Sequence, residues 1–230
     1  SEMCIRDSYY KKVMINLYFL DFETTGLNQY HDEVIEIGIK KFDEENEYTT
    51  LVVPENENGI HYKYVSKKIT EVTGITDKDI IDHGISSEEA TCGMYKYIVD
   101  TCREGPIYLI AHNGLSFDFI FFKRLIHKYI TAEKQRTRST SIDLDIINRI
   151  RYHDTLLMAR YLIPNDRVSQ PILCKRFNVK NEKEHRAMGD VDSLIKLYKI
   201  LCEQLSYMNK KGNKDFYINN IDVLMQELMI

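Results

Sequence analysis

Residues 13–20 are almost all apolar or aromatic, a pattern that suits a strand covered on both faces, and the run ends at the acidic Asp21. Residues 34–42 and 47–53 are two further predicted strands, and the DEEN turn between them permits an antiparallel meander. Ser86 and Glu89 form a capping-box signature ahead of a helix carrying Ala90, Met94, Tyr97 and Ile98, which Glu104-Gly105-Pro106 punctuates. Residues 107–111 read as a short buried strand. Residues 115–129 have helical periodicity, and Val191, Leu194, Ile195, Tyr198, Leu201, Cys202 and Leu205 form a longer, cleaner apolar stripe. Between these helices lie a polar, basic stretch at 131–141, a short strand at 151–155 and two short helices. After Ser206 a polar linker leads to Ile221, Leu224, Met225 and Leu228, spaced for an amphipathic helix that docks on the domain or on a protein partner.

Strands in succession, then strands alternating with helices, predict an α/β domain. Its central mixed sheet would be antiparallel over the first three strands and parallel thereafter, with flanking helices. The expected organisation is a non-native or disordered leader at 1–13, a folded domain at 14–206 opened by Met14, and a linker with terminal helix at 207–230.

Composition narrows the class. A chain of 230 residues that is 43% hydrophobic and 29% charged can bury one sizeable core. No apolar run is long enough to span a membrane and no export signal is evident, so an intracellular, soluble protein without a membrane partner is expected. Cys4, Cys92, Cys102, Cys174 and Cys202 are odd in number and show no zinc-ligand spacing, which argues for reduced, structural thiols. The net charge of -4 argues only weakly against nucleic-acid binding. A protein gripping the end of a strand needs few phosphate contacts, and metal-binding acids themselves push the total negative.

Candidate chemistry begins at Asp21-Phe22-Glu23. The two-residue period of a strand puts both carboxylates on one face, within reach of a shared cation. Taken alone, that tripeptide more often marks a solvated strand end. Thr24, Thr25, Gly26 and Leu27 follow as a tight turn able to seat a terminal nucleotide, or to serve as an ordinary connection. Asp118 lies on the apolar stripe of its helix, so its carboxylate points inward and needs a metal or a partner such as Arg124. Asp190 repeats that geometry four and eight residues before Leu194 and Tyr198. His185, five residues earlier, is placed where an imidazole can stand near metals without ligating them, although a lone His is more often a packing or surface residue.

Three segments taken together, DFETTG at 21–26, HNGLSFD at 112–118 and HRAMGD at 185–190, resemble the three motifs of the DEDDh, or DnaQ-like, exonuclease family, in the family's order. VTGIT at 72–76 and YHDTLLMAR at 152–160 resemble the stretches between them, and the resemblance covers residues 14–205. It implies an RNase H-like fold, two Mg2+ or Mn2+ ions, and removal of mononucleotides from the single-stranded 3' end of DNA or RNA, with DNA favoured. It further implies that Asp21, Glu23, Asp118 and Asp190 are metal ligands and that His185 is the catalytic base. Leu27 and Ile75 match apolar positions set against terminal bases, and His112 and Asn113 match the lead-in to the second motif. Thr73 stands where many members have His, and the basic region 131–150 is longer than usual, so that it reads as a substrate loop or as a solvated surface. An RNA-specific exonuclease and a non-catalytic nucleic-acid-binding module of the same fold are the alternatives. Proofreading, DNA repair and RNA processing all stay open.

Overall fold

A computed structural model of the chain describes residues 16–42, 44–55, 65–181, 185–212 and 216–228, with the side chains of 227 and 228 outside the description. The expected leader, residues 13–15 of the first predicted strand and the side chain of Leu228 therefore lie outside the described residues.

The sheet is built from β1 (Asn16–Thr24), β2 (Val34–Lys41), β3 (Glu47–Leu51), β4 (Ile107–Ala111) and β5 (Ile150–Asp154), in the order β3-β2-β1-β4-β5. β1 pairs antiparallel with β2, and β2 with β3, whereas β4 lies parallel to β1 and to β5. This is the mixed sheet that the pattern predicts. β1 runs past the apolar stretch and carries both acids to Thr24, because pairing with β2 continues through Glu23↔Glu36 before the register shifts.

Side-chain parity along β1 sorts two cores. Tyr18, Leu20 and Phe22 face one side, under α3 (Ser87–Thr101) and α4 (Asp118–Thr137). Leu17 and Phe19 face the other, under α8 (Ala187–Met208), with α6 (Thr155–Leu162) and α7 (Gln170–Arg176) beside it. Asp21 and Glu23 continue the odd series, so both carboxylates belong to the α8 side. Both capping-box bonds of Ser86 and Glu89 are present at the start of α3.

Pattern reading overlooked α1 (Lys67–Thr73), α2 (Asp77–His83) and the five-residue α5 (Leu144–Asn148). Helices this short rest on caps more than on periodicity, and α2 does open with a Thr76/Asp79 capping box. The basic stretch is only partly a loop. Residues 131–137 are the last turns of α4, which ends where Arg138 adopts φ 60°. After α9 (Phe216–Asn219), the last helix, α10 (Ile221–Leu228), buries Ile221 and Leu224 in the same core as α8, and Tyr108 on β4 donates a hydrogen bond to Asp222. Its apolar face is thus seated on this chain. Among the described residues no helix is long and apolar enough to cross a membrane, and no disulfide joins Cys92, Cys102, Cys174 or Cys202.

Candidate active site

β1 pairs with β4 only from Asn16 to Phe19. Beyond Phe19 the two strands part, and the turn after β4 fills the gap. Asn113 enters this turn at φ 65°, a single 3-10 turn follows over Gly114–Ser116, and Asp118 opens α4. A β-carbon on Gly114 would lie 2.7 Å from both Ala111 and the Phe119 ring, so the chain needs glycine here. Asp154, at the end of β5, holds the turn in place. It accepts from the backbone N–H of Asn113 at 2.8 Å and of Leu115 at 3.1 Å while also capping α6 through Leu156. Asp118, only 4% exposed, receives the N–H of Phe22 at 3.2 Å. Arg124, the protein partner suggested for it by the sequence, lies elsewhere. Its guanidinium donates to the carbonyls of Gln29 and Asp32 and pairs with Glu33 at 3.2 Å, pinning the loop after β1.

Asp190 arrives from the first turn of α8. Its carboxylate accepts from the backbone N–H of His185 at 3.0 Å, from Asn181 Nδ2 at 2.9 Å and, more weakly, from Gln170 Nε2 at 3.4 Å. His185 is therefore one hydrogen bond from the cluster, at φ 61°, a left-handed conformation that a non-glycine residue adopts at some cost. Asp21, Glu23 and Asp190 each offer an oxygen within 4.8 Å of the others, while Asp118 stands beside this trio rather than in it.

The electrostatics register the crowding. Burial, then Asp118, Asp190, Glu23 and Glu36, push the Asp21 carboxyl well above the usual range. Glu23 is pushed up to about 8 by burial and then by Asp190, Glu36 and Asp118, with Arg186 opposing. Burial raises Asp118 to about 7, against the pull of its backbone hydrogen bonds. Like charges this close favour protonation unless a cation replaces the protons. Oxygen-only donors fit a hard divalent ion rather than a thiolate-loving one.

The remaining candidate residues divide. Thr24 donates to the Gly26 carbonyl at 2.6 Å, and Thr25 bridges Asp32 and the Glu33 N–H, so these side chains shape the turn. Leu27 projects from it at 82% exposure, with Tyr30 also exposed. Ile75 does not reach the surface. It is 1% exposed, packed with Ile35, Val65 and Ile80, and offers no surface to a base. Both His112 nitrogens are engaged, by Thr155 Oγ1 at 3.0 Å and the Val168 carbonyl at 2.8 Å, and burial lowers its pKa, whereas Asn113 is exposed. Sequence reasoning missed Glu36, Asp154, Gln170 and Asn181. Only Asp154 left a readable trace, as an acid at a strand-to-helix junction where an N-cap is expected.

Comparison with known proteins agrees with this geometry. The exonuclease family model (RNase_T) matches residues 18–198. The chain is 31% identical over 214 residues to the DNA polymerase III subunit epsilon of Rickettsia typhi, covering 89% of this chain and 81% of that protein. It is 29% identical over 194 residues to the PolC-type DNA polymerase III of Thermotoga petrophila, covering 82% of this chain but only 12% of that protein. In fold it resembles E. coli Exonuclease I in complex with a dT13 oligonucleotide (TM-score 0.65, 13% identity, 86% of this chain and 43% of that one). It likewise resembles Exonuclease X in complex with 5' overhanging duplex DNA (TM-score 0.52, 20% identity, 86% and 93%). With the family match spanning most of the chain and the acids brought together on its sheet, the protein belongs to the DnaQ-like exonuclease family of the RNase H-like superfamily.

Proposed function

We propose that this chain is a divalent-metal-dependent 3'-to-5' exonuclease that hydrolyses phosphodiester bonds at single-stranded 3' ends, DNA in preference to RNA. The observation that carries this reading is the convergence of Asp21, Glu23 and Asp190 within 4.8 Å, with Asp118 alongside. These four acids would hold two Mg2+ or Mn2+ ions. When bound, such ions supply Lewis acidity to the attacking water and to the leaving 3' oxygen.

The chain's own residues do the rest. The His185 imidazole takes the proton of the attacking water, a role supported by the bond from its backbone N–H to Asp190, which ties this residue's backbone to the acid cluster. Water attacks phosphorus as the bond to the 3' oxygen breaks. A nucleoside 5'-monophosphate leaves, and the freed 3' oxygen takes a proton from solvent. Leu27 supports the terminal base from the turn shaped by Thr24, Thr25 and Gly26, and Asn113, exposed on the turn after β4, is a further substrate contact. His112 acts through the loop it braces. The preference for DNA is supported by the epsilon relative's name and by the oligonucleotides bound to the structural neighbours.

The test incubates the protein with 3'-labelled single-stranded DNA, duplex DNA and RNA, with and without chelator. Mononucleotide release from single-stranded DNA that stops with chelator is expected. RNA degraded first would make it an exoribonuclease, internal cuts would overturn the exonuclease reading, and binding without cleavage would leave a nucleic-acid-binding module.

A further inference from the structure

Glu36 sits opposite Glu23 on β2 and faces the α8 side of the sheet, yet it is only 4% exposed. A carboxylate so placed, beside Asp21 and Glu23, would be costly unless compensated. Arg186 provides the compensation with a fork of bonds, Nη2 to Oε1 at 2.6 Å and Nε to both oxygens at 3.1 Å. The backbone N–H of Ala187 adds a fourth bond, to Oε2 at 2.9 Å. Two residues along β2, Gly38 pairs with Asp21, and a β-carbon there would stand 2.7 Å from the Ala187 backbone. β2 thus accepts the start of α8 twice, through a bonded glutamate and through a missing side chain, opposite the two acids of β1.

No covalent constraint holds the segment 185–190 near β1. It carries both the base and Asp190, and their distance from Asp21 and Glu23 depends on where α8 starts. We infer that Glu36 and Arg186 are positioning residues that latch the start of α8 to the sheet and thereby set the spacing of the metal-binding acids. The inference rests on the metal-dependent reading above. Glu36 works through Arg186 and Ala187 rather than on substrate, and the guanidinium fork matters as well as its charge, since a lysine would offer a point charge without paired donors.

The test measures Mn2+ affinity by calorimetry, turnover at saturating Mn2+, and melting temperature for Arg186→Gln, Arg186→Lys, Glu36→Gln and the double variant E36Q/R186Q. The Arg186 side chain is 46% exposed, so its replacements should fold. Lys40→Gln is the control, cutting a separate contact between β2 and α8, Lys40 to Asp192 at 3.2 Å. Each latch variant is expected to weaken Mn2+ binding about tenfold or more. The double variant should lose less than the product of the single effects, R186K should recover only part of the affinity, and K40Q should stay within about twofold of the wild type. Latch variants that melt earlier but bind Mn2+ like the wild type would overturn the latch and leave the metal reading standing. A wild type that binds no Mn2+ would overturn the metal reading itself.

Discussion

Stability of the metal-free protein should fall as pH rises through neutrality. In the fold, Glu23 is held up to about 8 and Asp118 to about 7, so both stay protonated at pH values where the unfolded chain, with ordinary values of 4.5 and 3.8, has already released its protons. The folded state is therefore favoured most below the unfolded values and loses that advantage as pH climbs to the folded ones. For Glu23 alone the difference corresponds to roughly 4–5 kcal/mol at full ionisation. The side chain is only half-buried, and solvent screening reduces this to about 2–3 kcal/mol. For a domain of this size that amounts to about 5–10 °C in melting temperature. Melting curves in EDTA between about pH 5.5 and 8.5 should show the decline, and Mg2+ should suppress it, because ligation favours the ionised acids. Glu23→Gln should flatten the EDTA curve. A melting temperature that is level or rising in EDTA, or one that falls as steeply in the glutamine variant, would refute the reasoning.

Replacing His185 by alanine should cut turnover about a hundredfold or more while leaving Mn2+ affinity near that of the wild type, the signature of losing a general base; near-normal turnover would remove it from that role. Asp190→Asn should instead weaken Mn2+ binding in a calorimetric titration, since a ligand charge is lost. Arg136 pairs with Glu88 at the start of α3, and Arg138 caps α4, so removing both charges should leave the salt dependence of DNA binding unchanged, and a flatter slope would show that they touch phosphate. Leu224→Ala should destabilise the protein by about 2–5 kcal/mol in urea unfolding, because Leu224 is buried against the domain; a negligible change would show that α10 contributes nothing to the fold.

Periodicity was enough to place the central strands and the two long helices, because a strand covered on both faces and a helix with one wet side leave different repeats in the chain. The acids were legible for a related reason. A carboxylate on the buried stripe of a helix, as at Asp118 and Asp190, contradicts its surroundings until something compensates it. Which compensation operates could not be read from spacing. Arg124 looked available to Asp118, but α4 directs it to the carbonyls of the β1–β2 loop, and the Phe22 N–H takes its place. Ile75 looked like a base contact and is core, because α2 (Asp77–His83) and Ile35 enclose it. Glu36, on a strand of otherwise ordinary alternation, gained its meaning only when β2 came to lie beside β1 and α8 landed on both. Local patterns record what each residue needs from its environment, and tertiary packing decides which distant group meets that need.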